Sequence, residues 1–171
     1  MKALAMMGMV LASPAAADVV SASSNGMEVR EVVVVQATPS EAYAAFGRVG
    51  SWWSSEHSYS GNAANLKITL TPGGCFCETL PKGGGVQHMQ VVYVEPSERL
   101  VLTGSLGPLL YLATTGVLDA TFTPEGTDTR IVIDYRAAGF FNGGADKIAP
   151  AVDKVLSEQA ARLQAFIATR R

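Results

Sequence analysis

Glu78 and His88 are the two residues of this sequence whose types are best suited to acid–base chemistry. They lie on successive β-rich segments, 75–80 and 86–94, which a glycine-rich turn separates. If the turn is centred on Gly83, antiparallel pairing places Glu78 opposite His88. A carboxylate beside an imidazole fixes the tautomer of the ring and raises its basicity, as a general base requires. The pair therefore predicts proton transfer, and the alternative is an exposed polar pair across two strands.

Cys75 and Cys77 flank a phenylalanine, and residues two apart in a strand point to the same face. Their Cα atoms would lie about 6.5 Å apart in an extended strand, near the upper limit for a disulfide. Three interpretations stay open: two small core residues, a disulfide or redox pair, or metal ligands. A metal site would need His57, because the same register places His88 on the opposite face. A one-residue bulge would reverse that facing. We expect no metal site and no cofactor.

Other catalytic motifs are not recognisable in the sequence. No Ser-His-Asp arrangement or nucleotide-binding fingerprint is present. The glycines at 83–85 form a turn and not a phosphate loop, because a strand follows them and not a helix. A net charge of -2 without clustered lysine or arginine gives no basis for binding nucleic acid.

The elements that must position these residues begin with a strand and a short helix. Residues 28–36 include four consecutive valines, which favour a strand. Thr38, Pro39 and Glu41 then form a helix start, with a capping residue, a proline at the first position and an acidic residue three after the cap. This helix is predicted to run to Phe46, and a second short helical turn or a loop follows at 51–54.

The middle of the chain predicts an antiparallel meander. Turn residues separate β-rich segments at 66–70, 75–80, 86–94, 100–103, 117–123 and 130–136. Residues 104–112 are apolar but broken by glycine and proline, so we expect a loop or short helix there. Residues 145–169 have helical periodicity with one wide apolar face, which the face of the sheet has to cover. The expected fold is α+β, with the sheet wrapped around this long helix.

This order of elements resembles the helix-grip fold of the START-like (SRPBCC, birch-pollen-allergen-like) superfamily. Residues 72–78, 91–96 and 99–102 are similar to the glycine-glycine strand and following hairpin of its heat-shock-ATPase-activator-like branch. The helix start at 38–41 with Trp52-Trp53 resembles the opening of that branch. The resemblance covers residues 28–167 and extends to polyketide-cyclase-like proteins. It implies a curved sheet of about six or seven strands, two short helices after the first strand, and an internal cavity.

The resemblance also implies which residues surround that cavity. The expected ligand-binding residues are Trp52, Trp53, His57, Tyr59, Tyr111 and Phe140. Aromatic walls suit apolar ligands, so the leading hypothesis is binding or transport of a small hydrophobic molecule. A cyclase-like or dehydratase-like enzyme that uses Glu78 and His88 is the first alternative. A non-catalytic interaction module is the second. We expect the protein to be a monomer or a homodimer.

The first residues differ in composition from the rest of the chain. A lysine, an apolar run of about ten residues and a small-residue stretch predict a signal peptide at 1–17. That run is too short to span a bilayer, so we expect cleavage and export to the periplasm or the exterior. Residues 18–26 are predicted to be a flexible lead-in, and residues 27–171 a single domain.

Overall fold

The computed structural model describes residues 16–170, with side chains described from residue 18 onward. Eight strands form one antiparallel sheet in the order β1-β2-β8-β7-β6-β5-β4-β3. The strands are β1 (Ala16–Ala22), β2 (Gly26–Val35), β3 (Leu66–Ile68), β4 (Cys75–Thr79), β5 (Gly85–Glu95), β6 (Arg99–Gly104), β7 (Thr114–Glu125) and β8 (Asp128–Gly139). The predicted α+β architecture is confirmed, although the sheet has eight strands rather than six or seven.

The additional strand is β1, in the segment predicted to be a flexible lead-in. Ala16–Ala22 pairs antiparallel with β2, with Val19 opposite Val29. Serine content suggested a flexible segment, but the two adjacent valines favour a strand and β2 offers it a free edge for backbone hydrogen bonds. The predicted signal peptide at 1–17 lies outside the described residues except for its last two backbone positions.

The first helix, α1 (Pro39–Phe46), begins and ends where the sequence predicts. The Thr38 hydroxyl accepts from the Glu41 N–H at 3.3 Å, and the Glu41 carboxylate accepts from the Thr38 N–H at 2.9 Å. The second short helix is only a single 3-10 turn at Val49–Ser51. Gly50 packs against backbone there, since a Cβ on it would lie 2.7 Å from the carbonyl oxygen of Leu66.

The long helix α2 (Ala145–Ala168) follows the predicted range to within a residue. It packs on the inner face of the sheet, mainly against β2 and β1. Its buried side chains include Leu156, Leu163 and Ile167. Between residues 16 and 170, no helix has both the length and the hydropathy to cross a membrane.

Alternation along the strands decides which side chains face α2. On β8, Ile131, Ile133 and Tyr135 are buried on the inner face. On β4, Phe76 and Glu78 are buried, while the residues on either side of Phe76 are half-buried on the outer face. Two-residue periodicity therefore brings a carboxylate into the protein interior.

Candidate functional site

A cavity of about 600 Å³ lies between the inner face of the sheet and α2. The sheet contributes residues of β3, β4, β5 and β8, and two loops, at 53–59 and 106–112, contribute the rest of the wall. The helix contributes Ile148, Ala151, Val152, Val155 and Leu156. Most of the lining side chains are aliphatic or aromatic. A cavity of this volume and character is typical of a site for a small organic molecule.

Hydrogen bonds fix the tryptophan-containing loop to α2. The Ser54 N–H donates to the side-chain oxygen of Gln159 at 2.8 Å, and both groups are buried. The Arg162 Nε donates to the carbonyl oxygen of Trp52, also at 2.8 Å. These contacts hold Trp53, whose ring lines the cavity, against the helix.

Two tyrosines join the loops at one end of the cavity. The Tyr59 hydroxyl donates to the carbonyl oxygen of Gly107 at 2.8 Å. The rings of Tyr59 and Tyr111 meet edge to face, with centroids 6.1 Å apart. Tyr111 belongs to a 3-10 helix at Gly107–Tyr111, in the segment predicted to be a loop or short helix, and its side chain is exposed. This segment therefore forms part of the cavity wall.

His57 contributes a polar group to the cavity wall. Its Nε2 lies 3.2 Å from Glu158 Oε2 on α2, and both side chains are partly exposed. A hydrogen bond from the Ser54 hydroxyl, followed by the influence of His57 and Arg162, lowers the pKa of Glu158 below its ordinary value. The polar groups in this part of the wall thus lie close to solvent.

Glu78 and His88 form a buried pair, the Glu78–His88 dyad. His88 Nε2 lies 3.1 Å from Glu78 Oε2, and the two side chains are 5% and 0% exposed. The Tyr59 N–H donates to Oε2 at 3.0 Å, and the Ser60 N–H donates to Oε1. His88 lines the cavity, and its ring lies 5.2 Å from that of Phe76 between centroids. A carboxylate with this many donors can stay ionised inside the protein.

Burial and hydrogen bonding act oppositely on the two groups of the dyad. Burial is the largest influence on Glu78 and raises its pKa, but the hydrogen bonds from Ser60, Tyr59 and His88 together outweigh it, so its pKa lies below the ordinary value. Burial also dominates at His88 and lowers its pKa, although Glu78 partly offsets this effect. The dyad at neutral pH is therefore a carboxylate beside a neutral imidazole.

The charge state of the dyad assigns the imidazole tautomer. Because the Glu78 carboxylate can only accept, the His88 proton lies on Nε2 and Nδ1 carries the free lone pair. Within residues 16–170, Glu78 is the only hydrogen-bond partner of the His88 ring. Nδ1 is therefore available as an acceptor on a ring that lines the cavity.

A β-bulge brings His88 to this position. Phe76 pairs with Met89 but Cys77 pairs with Gln87, so His88 is the additional residue on β5. His88 and Met89 are consequently both buried, which regular alternation would not allow. The predicted register, with Glu78 opposite His88, is wrong, because Glu78 pairs with Val86. The predicted contact between the two side chains nevertheless forms, across the bulge.

Four of the six residues expected to bind a ligand line the cavity: Trp53, His57, Tyr59 and Tyr111. The other two do not. Trp52 is buried in the core, where its Nε1 donates to the carbonyl oxygen of Ala45 at 3.1 Å. Phe140 is 69% exposed on the segment between β8 and α2. Adjacent tryptophans cannot both face one cavity here, because the backbone directs their rings to different environments.

The structure does not bring Cys75, Cys77 and His57 together as the metal ligands that one interpretation required. The two cysteines form a disulfide with Cα atoms 5.3 Å apart, on the outer face of β4. His57 lies on the other side of the sheet, beside Glu158. No group of three or more His, Cys, Asp or Glu side chains in the described part of the chain could hold a metal ion.

Tyr135 and the cavity-facing residues of α2 are site residues that were not predicted from the sequence. Tyr135 is fully buried and lines the cavity, and its hydroxyl accepts from the Leu106 N–H at 3.3 Å. Burial raises its pKa to about 12. The alternation of Ile131, Ile133 and Tyr135 on β8 was the signal that could have identified it.

Comparison with solved structures identifies the architecture. Protein MLL2253 from Mesorhizobium loti is 17% identical with a TM-score of 0.59, and the match covers 83% of this chain and 98% of that one. CalU16 from Micromonospora echinospora is 13% identical with a TM-score of 0.58, covering 90% and 87%. The chain has a helix-grip fold. DynU16, a protein of the dynemicin biosynthetic locus, matches at 20% identity and a TM-score of 0.59, covering 83% of this chain and 47% of DynU16.

The sequence comparisons do not add a relative to these structural matches. No protein-family model matches the chain, and no curated protein matches it. At these low identities, the structural likeness establishes the helix-grip fold alone.

Proposed function

We propose that this protein binds a small, mainly apolar molecule in the cavity between the sheet and α2. The observation that carries the proposal is an apolar cavity of about 600 Å³ whose wall includes His88, the imidazole of the Glu78–His88 dyad. Apolar walls favour a ligand whose apolar surface is removed from water on binding. His88 Nδ1 offers one hydrogen-bond acceptor. The preferred ligand is therefore a hydrophobic molecule with one hydroxyl or similar donor.

The proposal includes membership of the START-like superfamily and export. The helix-grip fold supports the first, since cavities between sheet and helix suit ligand binding. The apolar leader and the Cys75–Cys77 disulfide support the second, because disulfides persist mainly in oxidising compartments. The chain would then act in the periplasm or outside the cell.

Filling the cavity tests the binding function. Ala151→Phe adds a ring to the part of α2 that lines the cavity, and we expect at least a tenfold loss of affinity for the fluorescent probe 1-anilinonaphthalene-8-sulfonate. Ala161→Phe is the matched control, since Ala161 lies on the same helix and is exposed like Ala151, but it does not line the cavity. Equal affinity in both variants would exclude the cavity as the probe site.

Native mass spectrometry of the protein purified from its own host identifies the natural ligand. A copurifying small molecule that is present with Ala161→Phe and absent with Ala151→Phe would support the proposal. A bare mass for the wild-type protein, together with no probe binding, would contradict it.

A second candidate function is proton-transfer catalysis on the bound molecule. It is favoured by the neutral His88 imidazole, which Glu78 orients and which lines the cavity. General-base catalysis contributes about 10²-fold or more to a rate. We therefore expect His88→Gln to lower turnover of the copurified ligand at least 100-fold while probe affinity changes less than threefold. Turnover that survives this substitution would exclude His88 as the general base.

A further inference from the structure

The Cys75–Cys77 disulfide lies directly across the strand pair from the bulge at His88. Cys75 pairs with Gln90 and Cys77 with Gln87, so the bridge spans the point at which β5 carries its additional residue. The two sulfurs are on the outer face of the sheet and the His88 ring is on the inner face. The disulfide therefore touches neither the cavity nor the dyad, yet it constrains the backbone opposite His88.

The bulge decides which face of the sheet His88 occupies. If β4 and β5 paired regularly from Phe76 and Met89 onward, His88 would stand opposite Cys77. Residues that pair directly share a face, so His88 would then point outward with the cysteines. In that register the contact between His88 and Glu78 would be lost.

The bulge is held from both neighbouring strands. On β4, the disulfide fixes the Cα atoms of Cys75 and Cys77 at 5.3 Å, whereas an extended strand would place them about 6.5 Å apart. On β6, Gly104 has φ of 147°, and a Cβ there would lie 2.4 Å from the carbonyl oxygen of His88. That carbonyl accepts from the Ser105 N–H at 3.0 Å. Bulges bend and twist a strand pair, so a locally shortened β4 suits the bulged conformation.

We propose that the Cys75–Cys77 disulfide is a redox control on the candidate site, holding His88 against Glu78 when oxidised and releasing it when reduced. The inference rests on the proposed function, since it assigns the disulfide a role in regulating the same cavity. The cysteines are positioning residues and act only through the backbone of β4 and β5.

The chemical step is thiol–disulfide exchange with an external dithiol. A dithiol reductant supplies two electrons and two protons, the sulfur–sulfur bond breaks, and both cysteines become thiols while the reductant closes its own disulfide. Both cysteines are partly exposed on the outer face, which gives such a reductant access. With the bridge open, β4 can extend and β5 can return to regular pairing.

The imidazole NMR signals of the full chain report this change without any ligand. The sequence contains two histidines, so His57→Gln assigns the His88 signals. In the oxidised protein we expect His88 to titrate below its ordinary pKa of about 6.5, as a single Nε2–H tautomer. After dithiothreitol treatment we expect the pKa to rise toward that value and the tautomer preference to disappear. Cys75→Ser/Cys77→Ser should match the reduced protein.

Two controls make the result decisive. Dithiothreitol should leave the His88 signals of the double serine variant unchanged. Identical His88 titrations in the oxidised, reduced and double-variant proteins would overturn the proposal. Global unfolding on reduction, seen as loss of methyl dispersion, would also overturn it, because the proposal requires a local change. Probe binding by the oxidised protein is measured separately, so failure of the cavity function and failure of the redox control are distinguishable.

Discussion

Glu78→Gln is expected to lower the free energy of unfolding at pH 7 by at least about 3 kcal/mol, because charge-assisted hydrogen bonds contribute about 1.5 to 3 kcal/mol each. The Glu78 carboxylate accepts from the backbone of Tyr59 and Ser60 and from the His88 ring. A glutamine keeps one acceptor but turns an NH₂ group toward donors that it cannot accept from. Urea unfolding at equilibrium measures the loss.

The pH dependence of this loss tests its cause. The hydrogen bonds hold the folded pKa of Glu78 below 4.5 despite its burial. For a depressed carboxyl pKa, the added stability is fully present above pH 4.5 and is lost as pH falls through the folded pKa. We therefore expect the wild-type and Glu78→Gln stabilities to converge in acid. Glu98→Gln, at an exposed turn, is the control and should change stability by less than about 0.5 kcal/mol. A constant difference down to pH 3 would contradict the assignment.

Local signals were enough to predict the helices. The residue types of Thr38, Pro39 and Glu41 predict where α1 begins. In the structure, Thr38 and Glu41 form the expected capping box. The apolar periodicity of 145–169 likewise predicted α2. In both cases the pattern that predicts the helix lies within one short stretch of the chain, although α2 itself packs on the distant strands β2 and β1.

The strand register required information that local patterns do not contain. Lys82 adopts φ of 63°, and the hairpin turns around it rather than around Gly83. The bulge at His88 then depends on Gly104, which is distant in sequence and admits the His88 carbonyl. A sequence rule that centres the turn on a glycine therefore predicts the dyad contact but not how it forms.

The sequence predicted an apolar cavity but only some of the residues that line it. Trp53, Tyr59 and Tyr111 could be named because aromatic residues near a cavity mouth are expected from the resembled fold. The contribution of α2 depends on how the helix rotates over the sheet. That rotation follows from packing against β1 and β2, and β1 lay in a segment whose serines suggested flexibility.

Glu31 is a second buried carboxyl group, and we expect its effect on stability to be opposite to that of Glu78. Glu31 points inward from β2, fully buried, where the strand packs against α2. Neither of its carboxylate oxygens has a hydrogen-bond partner among the described residues, and the same holds for Oδ1 of Asp153 on the helix. Burial, with a smaller contribution from the charge of Asp153, raises the pKa of Glu31 to about 8. Asp153 in turn has a raised pKa, through burial first and then through Asp18.

The contribution of Glu31 to stability changes with pH in the opposite direction to that of Glu78. Glu31 holds its proton more tightly in the folded protein than at its ordinary pKa of 4.5 in the unfolded chain. Its contribution to stability is therefore fully present below pH 4.5 and is lost as pH rises through about 8. The loss is at most about 5 kcal/mol, since one pKa unit corresponds to about 1.4 kcal/mol.

Glu31→Met is accordingly expected to stabilise the protein at pH 9 by several kcal/mol and to change it little at pH 5, since methionine fills a similar volume without a charge. Urea unfolding from pH 5 to pH 9 should show a falling free energy for the wild type and a much flatter profile for Glu31→Met. Glu98→Gln should retain the wild-type slope, because its carboxylate is exposed. The same slope in Glu31→Met and the wild type would show that Glu31 is ionised in the folded protein throughout this range. Glu31 would then be a paired carboxylate where β2 packs against α2, and not a protonated acid.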